Sequence, residues 1–221
     1  YSTNYNHRIN TVLDHKIDSA NSIKLTTTFI SNQAESNTLA ESETRADNDE
    51  LLNDGSSNTF SAQNMNNFNT NALYRHRFAK KGRTISSNLT FGYSQTKSEG
   101  SVASTNTFYK PFQRSQELNQ INDQLTENTL LGASLSFTEP LGNRRYLELN
   151  YNFNQNINDV DREVYDVRES GKLFNENLSA QYSSDYQYHR PGFNIKINRT
   201  KSSVTMGSAL QYTKLNGDNS I

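Results

Sequence analysis

Residues 130–153, LLGASLSFTEPLGNRRYLELNYNF, place apolar side chains at every second position. Leu131, Ala133, Leu135 and Phe137 alternate with Gly and Ser; after a short turn containing Pro, Gly and Asn, Leu147, Leu149, Tyr151 and Phe153 alternate with Glu and Asn. A period of two is the period of a strand, and strict alternation predicts a strand with one apolar and one polar face. The same pattern defines eight segments along the chain. Ile9, Leu13 and Ile17 begin it, and Ile23, Leu25, Thr27 and Phe29 resume it after the turn Asp18–Asn21. Phe68, Thr70, Ala72, Tyr74 and Phe78 lead into AKKGR at 79–83, and Ile85, Leu89, Phe91 and Tyr93 follow. The segments at 130–153 are the fifth and sixth. Tyr182, Phe193, Ile195 and Ile197 make the seventh, and Val204, Met206, Leu210 and Tyr212 the eighth.

The tight turns near 18–22, 79–83, 138–145 and 198–202 recur at intervals of about sixty residues. Between them run polar stretches, roughly 33–60, 94–117 and 158–172, that read as long connections. The pattern predicts an all-β, antiparallel, up-and-down meander of about eight long strands, with short turns at one end and long loops at the other. A soluble sandwich has no reason to sort its turns by length. An outer-membrane barrel has: its periplasmic turns are short, its extracellular loops long, its outer face apolar and its lumen polar. Lipid cannot bond exposed backbone groups, so the strands must pair among themselves and close.

Composition sharpens this picture. Only 32% of the 221 residues are hydrophobic, and mean hydropathy is -0.89, values that by themselves suggest disorder. Twelve Tyr and eleven Phe argue the other way, as does a net charge of -1 that gives no self-repulsion. A barrel wall reconciles the two, because only every second residue over about 9–11 positions needs to meet lipid. No apolar run is long enough for a transmembrane helix, and no signal peptide is visible at the start. The absence of cysteine excludes disulfides and thiolate metal sites. The near-neutral balance argues against a nucleic-acid partner, which would need concentrated Lys and Arg. Phe78, Phe137 and Tyr146 beside the short turns, with Tyr93, Phe153 and Tyr186 further along, read as two aromatic girdles.

The elements HKIDSANSIKLT (15–26), ALYRHRFAKKGRTISSNLTFGYSQ (72–95), LSFTEPLGNRRYLELNYNFNQ (135–155) and YQYHRPGFNIKI (186–197) resemble the barrel of Bacteroidetes TonB-dependent-receptor-like outer-membrane proteins. The resemblance covers nearly the whole chain, and its motifs are turn and strand signatures rather than catalytic ones. It implies a 22-stranded transmembrane barrel in full, an N-terminal plug, a TonB box and a bacterial outer-membrane location. Neither plug nor TonB box occurs here, so residues 1–221 read as a single partial β-barrel domain, a fragment lacking the plug and the remaining strands. The implied activity is uptake of a solute such as a glycan, peptide or siderophore, with the lipid bilayer, the plug, TonB and a surface lipoprotein as partners.

Parity assigns the candidate surfaces. Leu131, Ala133, Leu135, Phe137, Leu147, Leu149, Tyr151, Phe153, Phe193, Ile195 and Ile197 are expected to face the membrane. Lys16, Lys24, Arg75, Arg77, Glu148 and Lys196 are expected to face the lumen near the short turns, as a mostly basic ring against a plug or an anionic solute, or as charges that a wet lumen tolerates. His7, His15, His76 and His189 are scattered, without metal-ligand spacing; His15 and His76 suit an interface. Asp47, Asp49, Glu50 and Asp54 are acidic enough for calcium but do not match the EF-hand spacing, so a solvated loop is expected. No catalytic residues, metal ligands or cofactor are assigned, and the chain is read as not an enzyme. Two alternatives remain open: a soluble β-rich adhesin or carbohydrate-binding module, and a small outer-membrane barrel enzyme formed by closure of these strands alone.

Overall fold

The computed structural model describes residues 1–142 and 144–220. Those residues form one antiparallel sheet of ten strands with no helix. Seven strands run 15 to 29 residues: β1 (Ser2–Lys16), β2 (Asn21–Arg45), β3 (Leu51–Arg77), β4 (Thr84–Phe108), β5 (Arg114–Gly142), β6 (Arg145–Arg168) and β8 (Ala180–Asn198). Between the last two lies the short β7 (Gly171–Phe174), and β9 (Ser203–Ala209) and β10 (Tyr212–Ser220) both pair with β8 in one register. Each long strand pairs with the next, the order of a meander. β1 and the β9–β10 strand do not pair with each other, so the sheet is open.

The short turns lie where alternation predicts them, at 17–20, 78–83, beside Arg144, and at 199–202, all at one end of the sheet. Asn143 lies outside the described residues. The turn chemistry is local. Asp18 accepts from the backbone N–H groups of Ala20 and Asn21, each at 2.7 Å, and Gly82 adopts a φ of 88° that a side chain would strain. The expectation of long loops at the other end is corrected. Most of the polar stretches 33–60, 94–117 and 158–172 are strand, and the far connections 46–50 and 109–113 are as short as the near ones. Polar residues on both faces hid these extensions, because without burial nothing enforces alternation.

The four short turns do not sit at one level of the hydrogen-bonded ladder. The cross-strand row that starts at Asn21, the first residue of β2, passes through His76, Ile85, Phe137 and Leu149 to Phe193, well inside β8 and away from its end at Asn198. Each hairpin is displaced relative to the one before it, always in the same sense. Such a stagger is what strands tilted against a common axis produce, and it accompanies the shear of a barrel wall.

No second layer covers the sheet. The only buried apolar residue among those described is Val164, at the far end of β6, where the β7 segment folds over it. Its backbone N–H donates to Ser179 Oγ at 2.9 Å, and Phe174 packs against Tyr165 at 5.6 Å between ring centroids.

Candidate functional site

Because paired residues share a face, the ladder sorts the side chains. One row of the first face reads Leu13, Leu25, Ala72, Leu89, Ala133, Phe153, His189 and Tyr212 across eight strands. All eleven residues expected to meet the membrane lie on this face. They are open rather than packed: Leu135 is 43% exposed, Leu149 48% and Phe193 46%. Soluble monomers rarely leave so wide an apolar surface uncovered.

The apolar band follows the turns and not the rows. Ile9, Phe29, Phe68 and Tyr93 form an apolar row on β1–β4, and the same row continues as Thr129, Ile157 and Asp185. At the other side the band slides toward the turns, where Ile195 pairs with Met206 and Ile197 with Val204. On β2–β6 it runs over Ile23–Phe29, Phe68–Phe78, Ile85–Tyr93, Leu131–Phe137 and Leu147–Phe153, seven to eleven positions or roughly 23–36 Å at the rise of a strand. Beyond it, the first face turns acidic. Glu127 lies opposite Asp159, and Asp123 lies between Glu99 and Glu163.

The girdle expectation needs two corrections. Phe78 and Phe137 do meet on the first face, edge to face at 6.1 Å, and Tyr93 closes the band on β4. Tyr146 and Tyr186 instead lie on the second face, because each stands one residue out of step with its apolar neighbours. Tyr182 is likewise on the second face, apart from Phe193, Ile195 and Ile197. Phe153, paired with Ala133, sits in mid-band.

The first face is closed at its turn end by an ionic clasp that sequence reading missed. Glu139 accepts from Arg83 Nε at 2.6 Å and from Lys80 Nζ at 2.5 Å, joining the β3–β4 turn to β5. These two cations, Arg83 first, hold the Glu139 carboxyl down at about 2. Arg83 also stacks over Phe78, whose ring meets His76 at 4.5 Å. The signal was present in the Lys-Lys-Gly-Arg and Thr-Glu-Pro motifs, but uniting residues 56 apart required the register.

All four histidines lie on the first face, separated along it. His76 Nδ1 is 2.7 Å from Asn21 Oδ1, and His189 Nδ1 is 2.7 Å from the Tyr151 hydroxyl. The acidic turn disperses: Asp49 pairs with Arg45, Glu50 with Lys110 at 2.6 Å, and Asp54 accepts from Tyr109. Among the described residues no group of three acidic or His side chains is arranged to hold a metal ion.

The second face carries the expected charges. Lys16, Lys24, Arg75, Arg77, Glu148 and Lys196 all lie on it, spread over β1, β2, β3, β6 and β8 toward the short turns. Arg190, opposite Asn152, joins them; its place inside a His-Arg-Pro-Gly motif drew attention to the turn chemistry and away from its parity. Asp14 stands opposite Lys24, and Glu148 accepts from Asn150 and Asn194. Among the described residues none of these cations has a carboxylate within ion-pairing distance. Between them the face is mostly Ser, Thr, Asn and Gly, with Leu73 opposite Lys24 and Tyr146 opposite Lys196.

Comparison with protein-family models and with curated proteins finds no match for this chain.

Proposed function

We propose that this chain is a wall segment of a bacterial outer-membrane β-barrel, of the TonB-dependent receptor and transporter-like kind that its turn motifs resemble. The observation that carries the reading is the course of the apolar band. It holds a limited width of seven to eleven positions on β2–β6, keeps to the side of the short turns, and therefore cuts obliquely across the hydrogen-bonded rows. A slab of hydrocarbon crossing tilted strands imposes that course, whereas a packed second layer would cover a patch instead. The missing second layer speaks against a soluble sandwich, and the open edges remove the support for an eight-strand barrel complete in itself.

In this reading the first face meets lipid, with the short turns at the periplasmic interface and the clasp at Glu139 beside it. The long polar extensions of β2–β6 stand outside the membrane, and the second face lines the lumen. By resemblance, the whole receptor takes up a solute such as a glycan, peptide or siderophore, with a plug and TonB supplying gating and energy and a surface lipoprotein assisting capture. The chain has no assigned catalytic role.

Insertion is tested by folding the full-length gene product that carries this segment into lipid vesicles and digesting with protease. Retention of fragments containing the turn-side halves of the strands, with loss of the extensions, is the expected result. Complete digestion, or a stable monomer in plain buffer without lipid, would overturn the reading. Solute uptake by the full-length gene product in cells with and without TonB tests the transporter assignment separately.

A further inference from the structure

At the turn end of the second face, β1, β2 and β3 enclose a depression of about 370 Å³ between Lys16, Ser22, Arg75 and Arg77. Lys16 and Arg75 stand on either side of Ser22 in one row, so their Cα atoms are about 10 Å apart at the usual strand spacing. Arg77 is the next residue on the same face of β3. The row continues past Arg75 to Ser86, and Thr84 stands opposite Arg77. Short hydroxyl side chains thus flank both guanidinium groups and leave the space above them open.

Two acids share the depression, and neither neutralises these cations within ion-pairing distance. Asp14 is opposite Lys24 on the neighbouring row. Asp18 is occupied by its own turn, taking two backbone N–H groups and the Asn21 side-chain amide, each at 2.7 Å. Those three donors hold its carboxyl below the ordinary range, so it stays ionised and fixed in place. The contrast with Glu139 is direct: there two cations converge on one carboxylate, whereas here three cations line one depression and none is ion-paired.

We infer that Lys16, Ser22, Arg75 and Arg77 form a binding site for a small oxyanionic group, a phosphate, sulfate or carboxylate carried by a solute. Two guanidinium forks, an ammonium and a hydroxyl supply the donors that such a group accepts, and planar forks suit its geometry. The site's place on a lumenal wall rests on the barrel reading, and it would give that reading a substrate class: solutes bearing anionic groups, drawn toward the periplasmic end.

The test titrates the full chain in detergent micelles with inorganic phosphate, followed by calorimetry and by phosphorus NMR. Saturable binding that weakens at least about tenfold in Arg75→Gln/Arg77→Gln, and is retained in Lys214→Gln, is expected. Arg75→Lys/Arg77→Lys preserves the charge but not the forks, so its binding should fall between the parent chain and Arg75→Gln/Arg77→Gln, which separates loss of the site from loss of the fold. Equal binding by the chain and by Arg75→Gln/Arg77→Gln, or no binding, would overturn the inference. So would an acidic peptide that binds through these arginines where phosphate does not, since the surface would then be a protein contact. Phosphate binding with failure of the full-length gene product to enter vesicles would sustain the site and defeat the barrel reading; insertion without phosphate binding would do the reverse.

Discussion

The turn-side and far-side halves of β5 share one strand, one ladder and the same two neighbours, yet their faces are composed on different rules. From Leu131 to Phe137 the first face is apolar without interruption, and the second is Gly and Ser. From Asn119 to Glu127 both faces are polar, with Ile121 and Leu125 set among Asp123 and Glu127. Backbone pairing is continuous through both, so hydrogen bonding does not explain the change. In the proposed barrel what differs is the neighbour outside the sheet: hydrocarbon would impose alternation on one half, and water imposes nothing on the other.

That contrast can be broken most forcefully at mid-band. Leu135→Arg would place a cation on the first face near the centre of the apolar zone and should cost about 2–4 kcal/mol of folding stability in a bilayer. Ser136→Arg, one residue along and facing the other way, should be far milder, as measured by urea titration of vesicle-embedded chain. Equal penalties would dissolve the distinction between the faces.

An intermediate effect belongs to the clasp at the band's lower border. The folded Glu139 carboxyl titrates at about 2, below the ordinary carboxylate value of 4.5. A lowered folded value means that its stabilisation is complete above about pH 4.5 and fades as pH falls toward 2. Glu139→Gln should therefore lower stability at neutral pH, and the gap from the parent chain should close over that acid window. A gap independent of pH would show that packing around Phe78, and not the ion pairs, is what the substitution disturbs.

The smallest effect is expected in the extension. Asn119→Arg lies on the same strand and the same face as Leu135→Arg, but in the polar half, and should change stability by no more than about 0.5 kcal/mol. A large loss there would mean that the extension meets lipid or a covering layer as well.

How much of this is readable from sequence follows the same division. Wherever one face is apolar the period of two is loud, and it located the turns and sorted Leu131 to Ile197 onto one face. The extensions are silent because Asn, Ser and Gly are weak strand formers and nothing buried demands alternation. They hold as strands through the ladder and through side-chain bridges such as Asn32 to Asn4 and Asn128 to Asn156, pairs whose partners lie 28 residues apart. Tyr146 and Tyr186 depart from the girdle expectation because parity, and not distance from a turn, decides which face a strand residue joins. Arg190 and the triad of Lys80, Arg83 and Glu139 needed a register, which hydrophobic pattern sets only within a hairpin.

The chain contains no cysteine, so single cysteines can be introduced one at a time along β5 without background. The most direct measurement labels each position of Arg114–Gly142 with a fluorophore in reconstituted vesicles and compares quenching by lipid-borne and aqueous quenchers. Lipid-borne quenching at 131, 133, 135 and 137, aqueous quenching at the positions between them, and aqueous quenching alone from 115 to 127 is the predicted result. A strand on which the two quenchers fail to alternate over 131–137, or on which neither reaches the first face, would contradict the account.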